Sequence, residues 1–148
     1  IAAMTKEKIN NIGFIIGDYD DEVKAGLLKI ATKIGAKGKT FYQAKAEGPG
    51  HAVLCAEELL KGKVIIAFAD TLFRADFKLD TVKEGIIWVH EVEDPSSFGV
   101  VSLDESDEIT GMVEKPEKFV SNLAIIGVYY VKKGEMLTPN PITESRHF

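Results

Sequence analysis

Short apolar runs and helically spaced apolar residues alternate along the first half of the chain. The runs Ile12–Ile16 and Val64–Ala69 are typical of strands covered on both faces, and Thr40–Gln43 predicts a shorter strand between them. Two helices are predicted from the apolar residues Val23, Leu27, Ile30 and Ile34 and from Ala52, Val53, Ala56, Leu59 and Leu60. The order strand–helix–strand–helix–strand predicts an α/β fold with a largely parallel sheet.

The second half of the chain has a different pattern. Strands are predicted at Ile86–Val92 and Asn122–Val131. The apolar segments Phe98–Leu103 and Ile109–Glu114 flank a polar turn at Asp104–Glu108, which predicts a β-hairpin.

Both ends of the chain indicate a portion of a longer protein. The chain opens at Ile1 without an initiator Met, in what resembles the tail of a helix over Ile1–Met4, and the apolar pattern stops abruptly at Leu137–Pro141. Because no internal repeat or linker interrupts the chain, we expect residues 1–148 to form one domain. The character of the two ends leads us to expect that this domain is incomplete.

Composition and charge exclude several classes of function. The apolar share of 45% and charged share of 28% in 148 residues are those of a globular domain. The net charge of −5 provides no electrostatic basis for binding nucleic acid or anionic lipid. No apolar run approaches the roughly 18–20 residues that a membrane span needs. The single cysteine, Cys55, cannot form an internal disulfide, and we expect a cytoplasmic protein.

Several local patterns have ordinary structural explanations. Gly38-Lys39-Thr40 resembles the end of a phosphate-binding P-loop, but it runs from a helix into a strand, whereas a P-loop joins a strand to a helix. The acidic residues of Asp18–Glu22 suit a helix N-terminus better than a calcium loop. His51, His90 and His147 lack metal-ligand spacing.

Asp70 is the most informative single residue. It follows an apolar strand, so we expect its carboxylate at the carboxyl edge of a parallel sheet, where ligands of open α/β sheets bind. An Asp at this edge can hold Mg²⁺, which prefers one or two carboxylates plus phosphate oxygens. The alternative is a capping residue for a following helix.

The glycine-bearing segment Glu47–Ala52 joins a strand to a helix. Such a loop lets a ligand approach the backbone closely, and Gln43 at the strand end offers an amide that could read a nucleobase edge. The segment is also compatible with an ordinary turn, and His51 is compatible with a capping or packing role.

Glu114 and Lys115 close the predicted hairpin. On extended backbone their side chains point to opposite faces, so the carboxylate can accept from sugar hydroxyls while the ammonium meets a phosphate. Two solvated charges at a strand end are the alternative.

In combination, these segments resemble the sugar-nucleotide pyrophosphorylases, especially their glucose-1-phosphate thymidylyltransferase-like branch. The resemblance covers about Ile12 to Val131, and it rests on Gln43 with Gly48-Pro49-Gly50-His51-Ala52, on Phe68-Ala69-Asp70, on Asp94-Pro95-Ser96-Ser97-Phe98-Gly99-Val100-Val101, on Val113-Glu114-Lys115-Pro116, and on Ser121-Asn122-Leu123-Ala124-Ile125-Ile126-Gly127-Val128-Tyr129. It implies a Rossmann-like, mixed and mainly parallel sheet flanked by helices, with a nucleotide-binding half at residues 12–70 and a sugar-phosphate-binding half at residues 71–137.

The resemblance also implies roles for single residues. Gln43 and Gly48 would contact the base of a nucleoside triphosphate, with dTTP or UTP favoured, although an amide can also serve a purine. The sugar 1-phosphate would be held by Glu114, Lys115 and the backbone at Gly99 and Ile125. Asp70 would bind Mg²⁺, and the sugar phosphate would attack the α-phosphorus and release pyrophosphate. A homo-oligomer is compatible with the sequence.

The chain departs from the family pattern in ways that affect function. The family's G-G-x-G-T-R loop and a second metal-binding carboxylate have no counterpart, and Ala69 and Thr71 flank Asp70 where many relatives carry Gly and Asn. We therefore expect the 148-residue chain alone to be inactive. Two alternatives remain: a non-catalytic module that binds nucleotide sugars, and a GT-A glycosyltransferase, whose usual D-x-D is missing at Asp70-Thr71-Leu72.

Overall fold

The computed structural model describes residues 9–70 and 79–138. The predicted helix tail at Ile1–Met4, Thr71 and His147 lie outside the described residues. No helix within the described ranges has the length and apolarity to cross a membrane.

The described residues form two compact units. The first comprises residues 9–64, 79–84 and 132–138, and the second comprises residues 65–70 and 85–131. Asp70 therefore belongs to the same unit as Glu114 and Lys115.

The first unit is built on a strand–helix–strand motif. Strand β1 (Asn11–Ile16) and strand β2 (Lys37–Tyr42) pair in parallel along their whole length, and helix α1 (Asp21–Lys33) connects them. Asp20 caps this helix, because its carboxylate accepts from the Val23 N–H at 2.9 Å. The interpretation of the acidic cluster as helix N-terminal charge is confirmed.

Helix α1 packs closely on β2 because Gly38 has no side chain. A Cβ at Gly38 would lie 2.8 Å from the Cβ of Ala31, which is fully buried. Gly38 and the following Lys39 and Thr40 lie inside β2, so their interpretation as an ordinary helix-to-strand segment is confirmed. The ammonium of Lys39 forms an ion pair with Glu58 at 2.7 Å, so it does not have the position of a P-loop lysine.

The connection beyond β2 is shorter and less regular than the periodicity predicts. Helix α2 spans Pro49–Leu54, with the proline in its first turn as expected, and a separate 3₁₀ turn follows at Glu57–Leu59. The single long helix predicted for this segment is therefore wrong. Its predicted apolar face is divided between two short elements.

The second unit centres on one long strand. Its strands are β3 (Val64–Ala67, whose first residue is counted with the first unit), β4 (Gly85–Glu91), β5 (Gly99–Leu103), β6 (Ile109–Glu114) and β7 (Leu123–Val131). The strand order is β3-β7-β5-β6, and β4 also pairs with β7. The side chains of Val100, Val101, Val128 and Tyr130 are at most 1% exposed and form the core of this sheet.

The predicted mixed α/β class and the hairpin are both confirmed. Strands β5 and β6 pair antiparallel around the polar turn, and Asp104 accepts from the backbone N–H groups of Ser106 and Glu108 there. Strand β1 pairs in parallel with β2, whereas β4 with β7, β5 with β7 and β5 with β6 pair antiparallel.

Two apolar strands are less covered than their composition predicts. Only Ile12 of β1 is buried, and no residue of β3 is buried. The reason is that, among the described residues, β1 pairs only with β2 and β3 pairs only with β7. The expectation that both strands are covered on both faces is wrong for the described structure.

Gly134 is expected to be the glycine most sensitive to substitution in the first unit. A Cβ there would lie 2.5 Å from Val64 Cγ2 and 3.0 Å from the Leu60 carbonyl carbon. Because backbone cannot move aside cheaply, Gly134→Ala should lower the free energy of unfolding by about 2–3 kcal/mol in urea denaturation. Gly26→Ala is the control, since its Cβ meets nothing within 4 Å and helix α1 should gain about 0.5–1 kcal/mol. Equal effects of the two changes would contradict the packing argument.

Candidate functional site

Gln43 lies just beyond the carboxyl ends of the paired strands β1 and β2. Its backbone N–H donates to the Ile16 carbonyl at 2.9 Å, which extends the strand pairing by one residue. Its side-chain Nε2 donates to the Gly48 carbonyl oxygen at 3.2 Å and lies 3.0 Å from His51 Nδ1. The other ring nitrogen of His51 lies 3.7 Å from a Glu47 carboxylate oxygen. We call Gln43, Glu47, Gly48 and His51 the Gln43 cluster.

Gly48 sets the shape of the loop that carries this cluster. Its φ of 95° lies in the left-handed region that favours glycine, and it immediately precedes α2. A Cβ at Gly48 would meet nothing within 4 Å, so the backbone borders open space on that side. The structure therefore brings Gln43 and Gly48 together, while their contact with a base stays a prediction.

Three residues that the resemblance assigns to the sugar meet in the second unit. Gly99 and Glu114 are directly paired residues on β5 and β6. A Cβ at Gly99 would lie 2.7 Å from a Glu114 carboxylate oxygen and 3.5 Å from Ile125 Cδ1. The missing side chain of Gly99 thus makes the space in which the carboxylate of Glu114 lies.

Tyr129 and Phe68 connect Glu114 with the segment that carries Asp70. Burial, and secondarily the negative charge of Glu114, raises the pKa of Tyr129 above its usual range. The Tyr129 ring lies 5.8 Å from the Phe68 ring, and the Phe68 N–H donates to the Gly127 carbonyl at 2.9 Å. Asp70 follows Phe68 by two residues, so its segment is anchored beside Tyr129 on β7.

Lys115 has a backbone conformation that the sequence argument did not anticipate. Its φ of 44° is left-handed, and its N–H donates to the Phe98 carbonyl at 3.0 Å. Strand β6 ends at Glu114, so the premise that both residues lie on extended backbone is wrong. A non-glycine residue in this region is uncommon and worth a functional explanation. Glu114 and Lys115 are both exposed and, within the described residues, form no ion pair with each other.

Asp70 lies three residues beyond the end of β3 rather than at its last position. Its side chain is exposed. Within residues 9–70 and 79–138, no group of three or more His, Cys, Asp or Glu side chains could hold a metal. The Asp70 carboxylate suits Mg²⁺ that is held jointly with ligand phosphates better than it suits a site made of protein ligands alone. Mg²⁺ binding therefore stays a prediction, and the residues that a helix cap would serve lie outside the described part.

Sequence reasoning did not assign roles to Tyr129 and Phe68, and it treated His51 as a capping or packing residue. A signal for Tyr129 was present, because Ile125, Gly127 and Tyr129 alternate along β7 and so share one face of the sheet. The pairing of His51 with Gln43 depends on how the loop folds back, for which the sequence carries no periodic signal.

Together, these features define an α/β protein with candidate ligand-binding residues in each of two units. The model of the nucleotidyl transferase family matches residues 1–144, and the chain belongs to that family.

Named relatives agree with this assignment. The chain is 29% identical over 136 residues to a glucose-1-phosphate thymidylyltransferase of Streptomyces griseus, covering 87% of this chain and 38% of that protein. It is 30% identical over 146 residues to the bifunctional protein GlmU of Methanocaldococcus jannaschii, covering 97% and 35% of the two chains. The chain thus spans little more than a third of the length of these relatives.

Solved structures share the fold. A Bacillus anthracis protein assigned as a glucose-1-phosphate thymidylyltransferase and crystallised with sucrose superposes with a TM-score of 0.72 at 21% identity, over 91% of this chain and 56% of that one. HddC of Yersinia pseudotuberculosis superposes with a TM-score of 0.62 at 22% identity, over 84% and 56%.

Proposed function

We propose that the protein containing this chain couples a sugar 1-phosphate to a nucleoside triphosphate, giving a nucleotide sugar and pyrophosphate. The observation that carries the proposal is the meeting of Gly99, Glu114 and Ile125 in one place on the second sheet. Relatives named as a glucose-1-phosphate thymidylyltransferase and as GlmU support it. The Gln43 amide, which can pair with thymine or uracil, favours dTTP or UTP as the nucleotide.

Each proposed role is the one that the resemblance implies, and each fits the chemistry of the group. The carboxylate of Glu114 accepts hydrogen bonds from sugar hydroxyls, and backbone at Gly99 and Ile125 lines the same place. The Lys115 ammonium binds the sugar phosphate, and Gln43 in the first unit reads the base. Asp70 would hold Mg²⁺, which supplies positive charge to phosphate oxygens when bound.

The reaction joins two anions, so charge neutralisation is its main requirement. A phosphate oxygen of the sugar 1-phosphate forms a bond to the α-phosphorus, and the bond from that phosphorus to the oxygen shared with the β-phosphorus breaks, so that this oxygen leaves as a terminal oxygen of pyrophosphate. Lys115 holds the attacking phosphate against the repulsion of the triphosphate. No proton needs to move, because the attacking oxygen is already ionised.

Pyrophosphate release tests the proposal directly. The full-length gene product is assayed with four ribonucleoside triphosphates and dTTP against a panel of sugar 1-phosphates. We expect release with dTTP or UTP, and no release from the 148-residue chain assayed alone. Absence of release from every pair with the full-length product would contradict the proposed enzyme.

A non-catalytic module that binds nucleotide sugars is the second candidate. It requires the proposed contacts of Gln43 with the base and of Glu114 with the sugar, but no transfer of a nucleotidyl group. This candidate predicts that a nucleotide sugar raises the thermal midpoint of the full-length product while no pair of substrates releases pyrophosphate.

A further inference from the structure

The side-chain nitrogen of Gln43 lies close to two polar atoms of the protein. Nε2 lies 3.2 Å from the Gly48 carbonyl oxygen and 3.0 Å from His51 Nδ1. We propose that His51 is a positioning residue, which holds the Gln43 amide so that its carbonyl oxygen is the atom offered to the base. This inference rests on the proposed role of Gln43 in base binding.

The orientation of the amide follows from the Gly48 carbonyl. A carbonyl oxygen can only accept, so Nε2 must face it, and the reversed amide would bring two oxygens together. The second N–H of Nε2 then meets His51 Nδ1, which must carry a lone pair rather than a proton. His51 is thus the tautomer with its proton on Nε2, the nitrogen that lies 3.7 Å from the Glu47 carboxylate.

The consequence for a ligand is a fixed polarity. Gln43 Oε1 has no hydrogen-bond partner within the described residues, whereas Nε2 has two. A base must therefore donate to Oε1, as the ring N3–H of uracil or thymine can. A base that needed Nε2 as a donor would first have to break the contact with Gly48 or with His51.

A pair of His51 variants separates the acceptor role from simple packing. His51→Ala removes the acceptor and lets the amide rotate, and it should raise KM for UTP or dTTP about fivefold with little change in kcat. His51→Asn places an amide oxygen near the former Nδ1, and it should stay within about twofold to threefold of the wild-type KM. His90→Ala, an exposed histidine on β4, is the control and should leave KM unchanged.

A modified nucleotide tests the polarity of the contact. The full-length protein is assayed with UTP and with N3-methyluridine triphosphate, which lacks the donor. The methylated base should raise KM about tenfold or more, because it leaves Oε1 without its partner. Equal KM values for the two nucleotides would overturn the assigned polarity.

Nitrogen-15 NMR of the wild-type protein reports the tautomer directly, and a variant is needed only to assign the signals. The His51 signals, assigned by their loss in His51→Asn, should show an unprotonated Nδ1 and a protonated Nε2. A proton on Nδ1 would overturn the inference, as would a KM for His51→Asn as high as that for His51→Ala.

Failure of this inference is distinguishable from failure of the proposed function. If Gln43→Ala raises KM for UTP but His51→Ala does not, then Gln43 reads the base and His51 does not position it. If Gln43→Ala leaves KM for UTP unchanged, then the base site itself is wrongly assigned and the role of His51 is overturned with it.

Discussion

Replacing Lys115 with methionine is expected to lower kcat/KM for the sugar 1-phosphate by about 100- to 1000-fold. The substitution keeps the length and apolar stem of the side chain but removes the positive charge that would hold the attacking phosphate. The left-handed backbone at Lys115 and its N–H bond to Phe98 do not involve the side chain, so the local fold should persist. Steady-state pyrophosphate release by the full-length protein, at varied sugar 1-phosphate, measures the effect.

Lys118→Met is the matched control for this change. Lys118 is an exposed lysine three positions further along the chain, and it has no assigned role. We expect its replacement to alter kcat/KM by less than about twofold, because an isolated surface charge contributes little. A small effect of Lys115→Met, similar to that of Lys118→Met, would remove Lys115 from the proposed phosphate site.

Gly99→Ala is expected to lower kcat/KM by about 100-fold without unfolding the protein. The new methyl group would lie 2.7 Å from a Glu114 carboxylate oxygen, and that oxygen ends a flexible side chain that can swing away. The carboxylate is then displaced from the place where it would bind the sugar. The free energy of unfolding should change by less than about 1 kcal/mol, since no backbone has to move.

Two further variants make the Gly99 prediction specific. Gly111→Ala lies on the paired strand β6, where a Cβ meets nothing within 4 Å, and it should leave kcat/KM nearly unchanged. Adding Gly99→Ala to Glu114→Ala should cost little further activity if the methyl group acts through the carboxylate. Additive losses in the double variant would show that Gly99 acts by another route.

The agreement between sequence and fold is closest where local chemistry decides the structure. Strand β6 and the polar turn before it match their predicted positions, because turn residues such as Asp104 satisfy backbone N–H groups locally. Agreement between sequence and fold is poorest where the neighbouring strands decide how much of a strand is buried. The apolar run at Val64–Ala69 predicts a covered strand, but β3 ends at Ala67 and has one partner among the described residues.

The candidate site shows the same division. The resemblance names Gly99, Glu114 and Ile125, and the structure places the Glu114 carboxylate and the Ile125 side chain beside Gly99. The sequence could not predict the left-handed backbone at Lys115, because a lysine carries no intrinsic preference for that region. The neighbouring Tyr129 also required the register of β7 against the other strands.

The sequence by itself determined the class of fold and the hairpin, which follow from periodicity and turn chemistry, properties of short segments. Its resemblance to a known family proposed the groups that would bind phosphate, sugar hydroxyls and a base. Only the tertiary structure decided that Gly99 makes space for the Glu114 carboxylate and that His51 engages Gln43. Such contacts depend on strand register and loop path, which arise when segments distant in sequence pack together.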